Sequence, residues 1–388
     1  MSLFTKGNFI TLLRNGEEYF PALEAAIQKA QHEIYIETYI YQADAIGLRI
    51  GEALMNAAAR GVAVYLLLDG FGSQDLAKSY IQTLTASGVQ VMIYREKISP
   101  WTLQKNRLRR LHRKMVVVDR KIGFVGGINI IDDYDVPKGA TPRLDYAVKV
   151  EGAVAKSIYH SVHKLWRRMA WLQLRSSPKQ IADEHFKHSH HKHVGIKAAL
   201  MLRDNILHRR DIEEAYLSAI SAAKHEIMIA NAYFLPGWRF RKALIEAAER
   251  GVKVTLLLQG RLEYFYMFAS HAFYGLFLQH GIEIYEYRKS FMHSKVAVID
   301  SEWATVGSSN IDPFSLMLAR EANVVVLDQI FANELRESLL QSIQDGAEQV
   351  SSPAWIKGNL FRRLLSWLVY GLLRGLIGLF GYGREWQG

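Results

Sequence analysis

The chain has 388 residues, of which 49% are apolar and 22% charged, a composition typical of a folded protein with two units of roughly 150–200 residues each. Lysine and arginine exceed aspartate and glutamate by 10 charges, which favours an anionic partner such as phospholipid headgroups, nucleic acid or another polyphosphate. No cysteine is present, and this excludes disulfide scaffolds, cysteine-ligated metals, iron–sulfur clusters and thiol nucleophiles. The N-terminal segment lacks the apolar core and cleavage site of a signal peptide, so we expect an intracellular protein.

The most informative pattern is an internal repeat, found at residues 33–73 and again at 226–263. Each copy begins with an apolar run, continues into a helix that ends at Arg-Gly-Val, and returns to a second, continuously apolar run. The glycine favours the left-handed turn that ends a helix, and the continuous run is typical of a strand buried on both faces. Each copy then predicts a further helix, a glycine turn and a last strand, which ends at Tyr94 or Tyr287. Strands that alternate with helices indicate an α/β fold.

Between the copies, residues 176–198 are mostly polar and contain five histidines between 185 and 193. We interpret this segment as a solvated linker because it lacks the apolar period of a helix or strand. Histidine is a common metal ligand, so a metal site there is the alternative. The sequence therefore predicts an N-terminal repeat unit at 1–175, the linker, a C-terminal repeat unit at 199–348 and a tail at 349–388.

A second pattern occurs once in each unit, and it carries the chemistry. Residues 111–130 and 292–311 both obey H-x-K-x4-D-x6-G-[GS]-x-N without a gap. The pattern residues are His112, Lys114, Asp119, Gly126, Gly127 and Asn129 in the first copy, and His293, Lys295, Asp300, Gly307, Ser308 and Asn310 in the second. A single histidine in an apolar segment is usually structural, but that interpretation does not explain a six-position pattern that occurs twice.

The spacing of this pattern suits a phosphate group. On a strand, residues two positions apart project from the same face, so His112 and Lys114 are expected to converge on one small anion. The small residues would let the backbone approach a phosphate closely, and each asparagine would supply an amide donor. If two such half-sites face each other, one histidine attacks phosphorus and the other protonates the leaving oxygen. The lysines and amides would neutralise the phosphoryl charge, so no metal or cofactor is expected.

This double motif resembles that of the phospholipase D superfamily, and the resemblance covers residues 7–348. Within that superfamily the chain is similar to the short, B-type branch of bacterial cardiolipin synthases, in segments that read HEIYIETYIY, ARGVAVYLLLDGFGS, IANAYFLPG and VGSSNIDPFSLMLAREANV. The resemblance implies two pseudo-symmetric halves, each a mixed β-sheet flanked by helices, with the active site at their interface. It also implies that a carboxylate beyond each motif asparagine orients a histidine, which points to Asp145 and Glu321, and that Asp119 and Asp300 are structural.

The function implied by the resemblance is transfer of a phosphatidyl group between phospholipids. Two phosphatidylglycerols would give cardiolipin and glycerol through a phosphatidyl-histidine intermediate. We take His112 as the nucleophile and His293 as the acid and base, while the repeat keeps the reverse assignment open. The alternatives are a phospholipase D-type hydrolase or headgroup-exchange enzyme, a superfamily nuclease and a non-catalytic membrane-binding module. The expected partners are anionic phospholipids, namely phosphatidylglycerol and cardiolipin, at a membrane surface, and no nucleic acid.

The tail is the first of two segments expected to bring the protein to lipid. Residues 359–385 place polar and small residues on one helical face and leucines on the rest, and Arg374 interrupts the apolar run. A transmembrane span needs about 20 apolar residues, so we predict an interfacial helix in one leaflet. Packing on the protein's own core and a re-entrant hairpin are the alternatives. The protein would then lie on the cytoplasmic face of the bacterial inner membrane as a peripheral or monotopic protein.

The second segment is basic and precedes the first motif. Its cations are Lys105, Arg107, Arg109, Arg110 and Arg113. We expect them to attract anionic headgroups, with a solvated charged face as the alternative. A different segment, residues 264–278, is unusually aromatic, and we predict that it is first a core helix and second a wall for acyl chains.

Overall fold

The computed structural model describes residues 4–95, 109–134, 141–175, 195–204, 208–261, 268–312 and 319–351, together with residues 368 and 371. The predicted linker is therefore described only from residue 195, and the predicted interfacial helix at 359–385 lies outside the described residues apart from two positions. Lys105, Arg107 and residues 264–267 also lie outside them.

The described residues form one large mixed sheet with helices on its faces. The strands are β1 (Thr5–Arg14), β2 (Glu33–Thr38), β3 (Ala63–Asp69), β4 (Gln90–Tyr94), β5 (Arg110–Leu111), β6 (Lys114–Val118), β7 (Ile122–Gly126), β8 (Tyr146–Glu151), β9 (Ile196–Arg203), β10 (Glu226–Asn231), β11 (Lys253–Gln259), β12 (Glu283–Tyr287), β13 (Lys295–Ile299), β14 (Trp303–Gly307), β15 (Ala319–Leu327) and β16 (Ala347–Gln349). The helices are α1 (Asn15–Gln28), α2 (Ala45–Ala59), α3 (Lys78–Ala86), α4 (Ala153–Leu172), α5 (Asp211–Ala222), α6 (Trp238–Glu249), α7 (Phe268–His271), α8 (Tyr274–Gln279) and α9 (Gln329–Gly346).

The sheet consists of two halves with the same strand order. The first half runs β4-β3-β2-β6-β7-β8-β1, and the second runs β12-β11-β10-β13-β14-β15-β9, with β16 beyond β12. Within each half the three strands of the sequence repeat are parallel, and the other neighbours pair antiparallel. This arrangement confirms the predicted α/β fold with two pseudo-symmetric halves, each built on a mixed sheet.

The ends of the repeat helices also follow the sequence. Gly61 and Gly251 come directly after the C-terminal caps of α2 and α6, and both adopt positive φ, at 90° and 88°. Glycine adopts this conformation without the steric cost that a side chain would add. The turn returns the chain to β3 and β11, whose side chains are almost entirely buried.

The two halves are joined by antiparallel pairing of β1 with β9, so that the two half-sheets become continuous. Asn8 lies at a shift in the register of this pairing and is fully buried. Its amide donates to the carbonyls of Thr5 and Ile196, and its carbonyl oxygen accepts the N–H of Val154 in the first turn of α4. The side chain of this buried asparagine therefore bonds both strands and a helix. It satisfies backbone groups that have no partner in the irregular pairing.

The largest apolar core lies between the halves. It contains side chains from β6, β7 and β8 together with side chains from β13, β14 and β15, and the inner faces of α4 and α9 add to it. The two other cores lie between the sheet and its helices, against α1 to α3 in the first half and against α5, α6 and α8 in the second. Because this core packs between the two halves, the motif strands β6 and β13 lie on either side of one interface.

The aromatic segment at 264–278 differs from the single core helix predicted for it. Where it is described, it forms two short helices, α7 and α8, and Phe273, Tyr274 and Phe277 are buried. The core position is thus confirmed for these three residues. Among the helices described, none combines the length and the apolar character needed to cross a bilayer.

Candidate active site

Each motif histidine is hydrogen-bonded to a carboxylate of the opposite half. The His112 ring lies with Nδ1 2.9 and 3.1 Å from the two oxygens of Glu321, and Nδ1 of His293 lies 2.7 Å from Oδ2 of Asp145. The side chains of the two histidines are 15% and 14% exposed. A carboxylate that accepts from Nδ1–H fixes the tautomer in which Nε2 carries the lone pair. Both histidines therefore keep Nε2 for chemistry.

Backbone hydrogen bonds between the halves place each histidine beside the carboxylate of the opposite half. β5 runs parallel to the start of β15, and the N–H of His112 donates to the carbonyl of Arg320 at 3.0 Å. On the other side the N–H of His293 donates to the carbonyl of Leu144 at 2.8 Å, and the N–H of Leu144 donates to Phe291. Each histidine is thus bonded through its own backbone to the residue just before the carboxylate that holds its ring.

Asp145 and Glu321 occupy equivalent positions, although they follow their motif asparagines at different distances along the chain. The N–H of Gly127 donates to the carbonyl of Tyr146, and the N–H of Ser308 donates to that of Ala322. The register of β7 with β8 therefore matches that of β14 with β15. Both carboxylates were named from the sequence, and the structure brings each to a histidine.

Two of the small motif residues, Gly127 and Ser308, lie against these carboxylates, and the close approach of the backbone to a phosphate stays a prediction. A Cβ on Gly127 would lie 2.2 Å from Oδ1 of Asp145, so glycine leaves the room that the carboxylate fills. At the equivalent position Ser308 donates its hydroxyl to Oε2 of Glu321 at 2.6 Å. Gly126 packs just as closely on the backbone of Ala147 in the neighbouring strand.

The motif asparagines are buried beside the loops that follow β2 and β10. Oδ1 of Asn129 accepts the N–H of Ile40 at 3.1 Å, and Asn310 stands at the equivalent place in the second half, next to Ile311, whose N–H donates to Asn231. Both are nearly inaccessible to solvent. The Asn129 side chain therefore holds the loop that follows β2.

The motif lysines are buried cations at the centre of the site. Nζ of Lys114 donates to the carbonyl of His112 at 2.7 Å, and Nζ of Lys295 donates likewise to that of His293. Burial lowers the pKa of Lys114 to about 7 and that of Lys295 to about 8, and the carboxylates of Glu321 and Asp145 oppose this lowering. A buried ammonium group with a lowered pKa gains most from a bound anion.

Burial also shifts the groups that carry protons. It lowers the pKa of His112 below its usual 6.5, with Lys114 adding to the effect and Glu321 opposing it. Burial, followed by the charges of Lys295 and Lys114, lowers the pKa of His293 further. Burial raises the pKa of Asp145 to about 7. Both imidazoles are therefore neutral at pH 7, as a nucleophile and a general base must be.

The motif aspartates lie at the other end of the motif strands. Asp119 is five residues beyond Lys114, about 16 Å along an extended chain. Its carboxylate accepts the N–H groups of Gln31, His32 and Glu33, while Asp300 accepts those of Lys224, His225 and Glu226. Each aspartate thus bonds the start of β2 or β10 to the end of the motif strand, and neither lies beside a motif histidine.

Two residues that border the site were not singled out from the sequence. Oδ2 of Asp69 accepts the N–H of Leu111 at 2.7 Å, and the side-chain amide of Gln259 donates to the carbonyl of Met292 at 3.3 Å. Each therefore holds the residue that precedes a motif histidine. A signal was present, since Asp69 and Gln259 end the same apolar run in the two repeats.

A pair of tyrosines lies beside the histidines and was also missed. The ring of Tyr39 lies edge-on to His112, with centroids 4.8 Å apart, and that of Tyr233 lies edge-on to His293 at 6.5 Å. Nζ of Lys114 is 5.2 Å from the centre of the Tyr39 ring. Both tyrosines follow the first strand of the repeat, so the same comparison of the two copies would have found them.

One arginine of the basic segment before the first motif lies inside the protein. Arg113 was expected to face anionic headgroups, but it is buried and pairs with Glu37, and it also donates to the hydroxyl of Ser161. That expectation was wrong because the residue between His112 and Lys114 on the strand projects to the opposite face.

In the part of the chain that is described, no three histidine, aspartate or glutamate side chains cluster as metal ligands would.

The pKa shifts predict a bell-shaped dependence of kcat/KM on pH. The acid limb should fall below pH 6.5, because protonation of His112 removes the lone pair on Nε2 that attacks phosphorus. The alkaline limb should fall from about pH 7 to 8, where Lys114 and Lys295 lose their protons. Lys114→Arg should move the alkaline limb upward, since guanidinium stays protonated. A profile that is flat from pH 6 to 9 would contradict this electrostatic description.

Comparison with known proteins adds to this geometry. A family model described as cardiolipin synthase, PLD-like domain, matches residues 23–135 and again 216–343. Cardiolipin synthase B of Escherichia coli K12 is 38% identical over 97% of this chain and 90% of its own, with the same values for the Shigella flexneri protein. The probable cardiolipin synthase YwiE of Bacillus subtilis is 31% identical over 94% of this chain and 71% of its own. A phosphatidylserine synthase structure from Haemophilus influenzae shares the fold, with a TM-score of 0.70 at 13% identity, over 98% of this chain and 96% of that one.

Proposed function

The chain belongs to the PLD-like family of cardiolipin synthases, and we propose that it is a phosphatidyltransferase that converts two phosphatidylglycerols into cardiolipin and glycerol. The observation that carries this proposal is the pair of neutral histidines, each with Nδ1 bonded to a carboxylate of the opposite half, in a chain that matches cardiolipin synthase B along almost its whole length. A nucleophile and a second group that acts first as acid and then as base are what a double displacement at phosphorus requires.

The first step forms a covalent intermediate. Nε2 of His112 attacks the phosphorus of one phosphatidylglycerol, the P–N bond forms, and the bond from phosphorus to the glycerol oxygen breaks. His293 is neutral in the free protein, but the negative charge of a bound phosphate favours a proton on its Nε2, and His293 gives that proton to the leaving glycerol oxygen. Lys114 and Lys295 donate to the phosphoryl oxygens as negative charge builds up in the transition state. Glycerol then leaves.

The second step uses the alcohol of another phosphatidylglycerol. His293 removes the proton from its terminal hydroxyl, the oxygen attacks phosphorus, and the P–N bond to His112 breaks. The phosphatidyl group is thereby transferred, His112 returns to its neutral form, and His293 again carries the proton. Water in place of this alcohol would give phosphatidic acid, so exclusion of water from the interface decides between synthesis and hydrolysis.

The two carboxylates support the assignment of the two roles. Glu321 contacts Nδ1 of His112 with both oxygens and is fully buried, and Ser308 donates to it as well. A carboxylate that accepts from Nδ1 in this way suits the histidine that becomes a positively charged phosphatidyl-imidazolium. The pKa of Asp145 is raised by burial to about 7, so it shares a proton readily with His293, which suits the acid and base.

Trapping the intermediate tests this assignment. Brief incubation with phosphatidylglycerol labelled in the phosphate, followed by alkaline quenching and peptide mass spectrometry, should place label on the peptide that contains His112. His293→Ala should gain the label more slowly and also lose it more slowly, because His293 acts in both steps, while His112→Ala should carry none. Label confined to the His293 peptide would reverse the roles, and label on neither would remove the covalent route.

The product itself tests the function. Purified protein with phosphatidylglycerol in mixed micelles should yield cardiolipin and glycerol in equal amounts, as measured by mass spectrometry of the lipid and an enzymatic assay of glycerol. Phosphatidic acid as the main product would identify a hydrolase instead. Omission of metal ions and addition of EDTA should leave the rate unchanged, since the two lysines supply the positive charge.

The remaining organisation follows from this function. We propose that residues 1–175 and 199–348 are the two catalytic units, that 176–198 is a solvated linker, and that the tail at 349–388 lies in the membrane interface. The excess of 10 positive charges suits a surface of anionic phospholipids. A peripheral or monotopic position on the cytoplasmic face of the bacterial inner membrane would give the site access to phosphatidylglycerol.

A further inference from the structure

A cavity of about 590 Å³ lies between β4 and the end of α4, outside the motif residues. Five arginines line it, and they are Arg95, Arg109, Arg168, Arg175 and Arg320. No aspartate or glutamate is among the described residues that line the cavity. None of the five guanidinium groups pairs with a carboxylate within the described part of the chain. A cluster of positive charge without carboxylate partners attracts anions to the cavity.

The interior of the cavity has hydrogen-bond donors without partners. The Nε–H groups of Arg109 and Arg320 are buried and make no hydrogen bond within the described residues. Burial would raise the pKa of Tyr94, but the charges and hydrogen bonds of Arg320 and Arg95 lower it, as neighbouring positive charges do. A buried donor without an acceptor costs free energy, and the planar guanidinium matches the oxygens of a phosphate.

Apolar side chains project beside the mouth of this cavity. Trp171, Leu172 and Leu174 are 74%, 57% and 95% exposed. They are not on a frayed helix end, because Gln173 and Arg175 donate to the carbonyls of Ile93 and Val91 in β4, at 2.9 and 2.7 Å. The structure thus holds an exposed tryptophan and two leucines in place next to arginines, a combination typical of proteins that contact the membrane interface.

We propose that this cavity is a second phosphodiester site, in which the arginines bind the headgroup phosphate of an anionic phospholipid while Trp171, Leu172 and Leu174 enter the leaflet. Arg109 is three residues before His112, about 10 Å along an extended chain, and Arg320 directly precedes Glu321. A lipid held here therefore lies at the side of the active site. The proposal rests on the proposed function only for the choice of phospholipid as ligand.

Vesicle binding of matched variants tests the site. In the full chain with His112→Ala, which prevents turnover, Arg109→Gln with Arg168→Gln should weaken binding to phosphatidylglycerol vesicles about 25-fold, or about fivefold per arginine. The control is Lys164→Gln with Arg167→Gln, which removes the same charge from exposed positions of α4 outside the cavity lining. The fold loss of vesicle binding in this control should be less than a quarter of the loss in the arginine variant. Equal losses in the two variants would overturn the site, because unspecific attraction to the surface would then explain both.

A single fluorophore tests the orientation of the membrane contact. The chain has no cysteine, so Trp171→Cys carries the only thiol and can be labelled with an environment-sensitive dye. Phosphatidylglycerol vesicles should shift its emission to shorter wavelength, whereas Glu334→Cys on exposed α9 should not respond. Inorganic phosphate should not cause the shift. A dye at 171 that stays in water when vesicles bind, or that responds equally to phosphate alone, overturns the lipid assignment. Absence of cardiolipin formation with this binding intact would instead refute only the proposed function.

Discussion

Replacing either motif histidine should remove most of the phosphatidyl transfer activity. We expect His293→Ala to lose roughly 10²–10⁴ in kcat, the range for removal of a general acid and base, and His112→Ala to lose more, because the covalent route disappears with its nucleophile. Initial rates of cardiolipin formation, measured by mass spectrometry in mixed micelles, give both values. The two losses should not add in the double variant, because the histidines act in one reaction sequence.

The controls must separate chemistry from folding. Alanine at either position leaves a buried carboxylate without its partner, which costs stability, so His112→Asn and His293→Asn offer a better test because the amide can still donate to Glu321 or Asp145. These variants should unfold at nearly the temperature of the parent chain and remain inactive. His225→Ala changes an exposed histidine and should keep full activity. Substantial turnover by either folded asparagine variant would rule out the two-histidine mechanism.

The parts of this site that were predictable are those encoded locally. The glycine turns, the continuous apolar strands and the His-x-Lys spacing depend on neighbours within a few residues, and the second copy of each doubles the signal. The pairing of β1 with β9 has no such local signal, because it joins segments almost 190 residues apart whose sequences do not specify a partner. The continuity of the sheet was therefore found only in the structure.

The exchange of carboxylates between halves illustrates the same limit. Asp145 and Glu321 were identified as partners of the histidines, but nothing in either segment states which histidine each one meets. The answer depends on β5 pairing with β15 and on Leu144 pairing with Met292 across the interface. One consequence is functional: neither half contains a complete histidine–carboxylate pair, so the site exists only when both halves are docked.

For the arginines before His112 the sequence indicated the charge correctly, but the expected position was wrong for Arg113. The segment before His112 was expected to face lipid as a unit, yet Arg113 pairs with Glu37 inside the protein. Arg109 lines the cavity with Arg168 and Arg320, which come from elements far apart in the chain. Charge runs are visible in a sequence, whereas a cluster assembled from a strand edge, a helix end and a loop is visible only after folding.

The second large effect on kcat is expected from replacing the buried lysines. Lys114→Met and Lys295→Met should each lower kcat about 10²–10³-fold, equivalent to about 3–4 kcal/mol, the usual cost of removing one donor to a developing oxyanion. Methionine fills similar space without a charge. KM should change much less than kcat, because each ammonium group interacts most strongly with the charge that forms at the transition state. Steady-state kinetics over a range of phosphatidylglycerol concentrations separate the two constants.

Stability provides the control for the lysine variants, and its sign follows from the lowered pKa values. The folded state binds the proton on Lys114 less tightly than the unfolded state does, since the pKa falls from 10.5 to about 7. The unfolded chain therefore carries more protons between about pH 7 and 10.5, and folding gains stability as the pH rises through that window. Lys114→Met removes this dependence, so it should fold at least as well as the parent chain at pH 7 while losing activity.

The control for this comparison is Lys149→Met, on partly exposed β8, which should change neither the stability nor kcat. A Lys114→Met chain that retains normal kcat, or that loses activity only because it unfolds, would show that Lys114 supports the structure of the site and not the transition state.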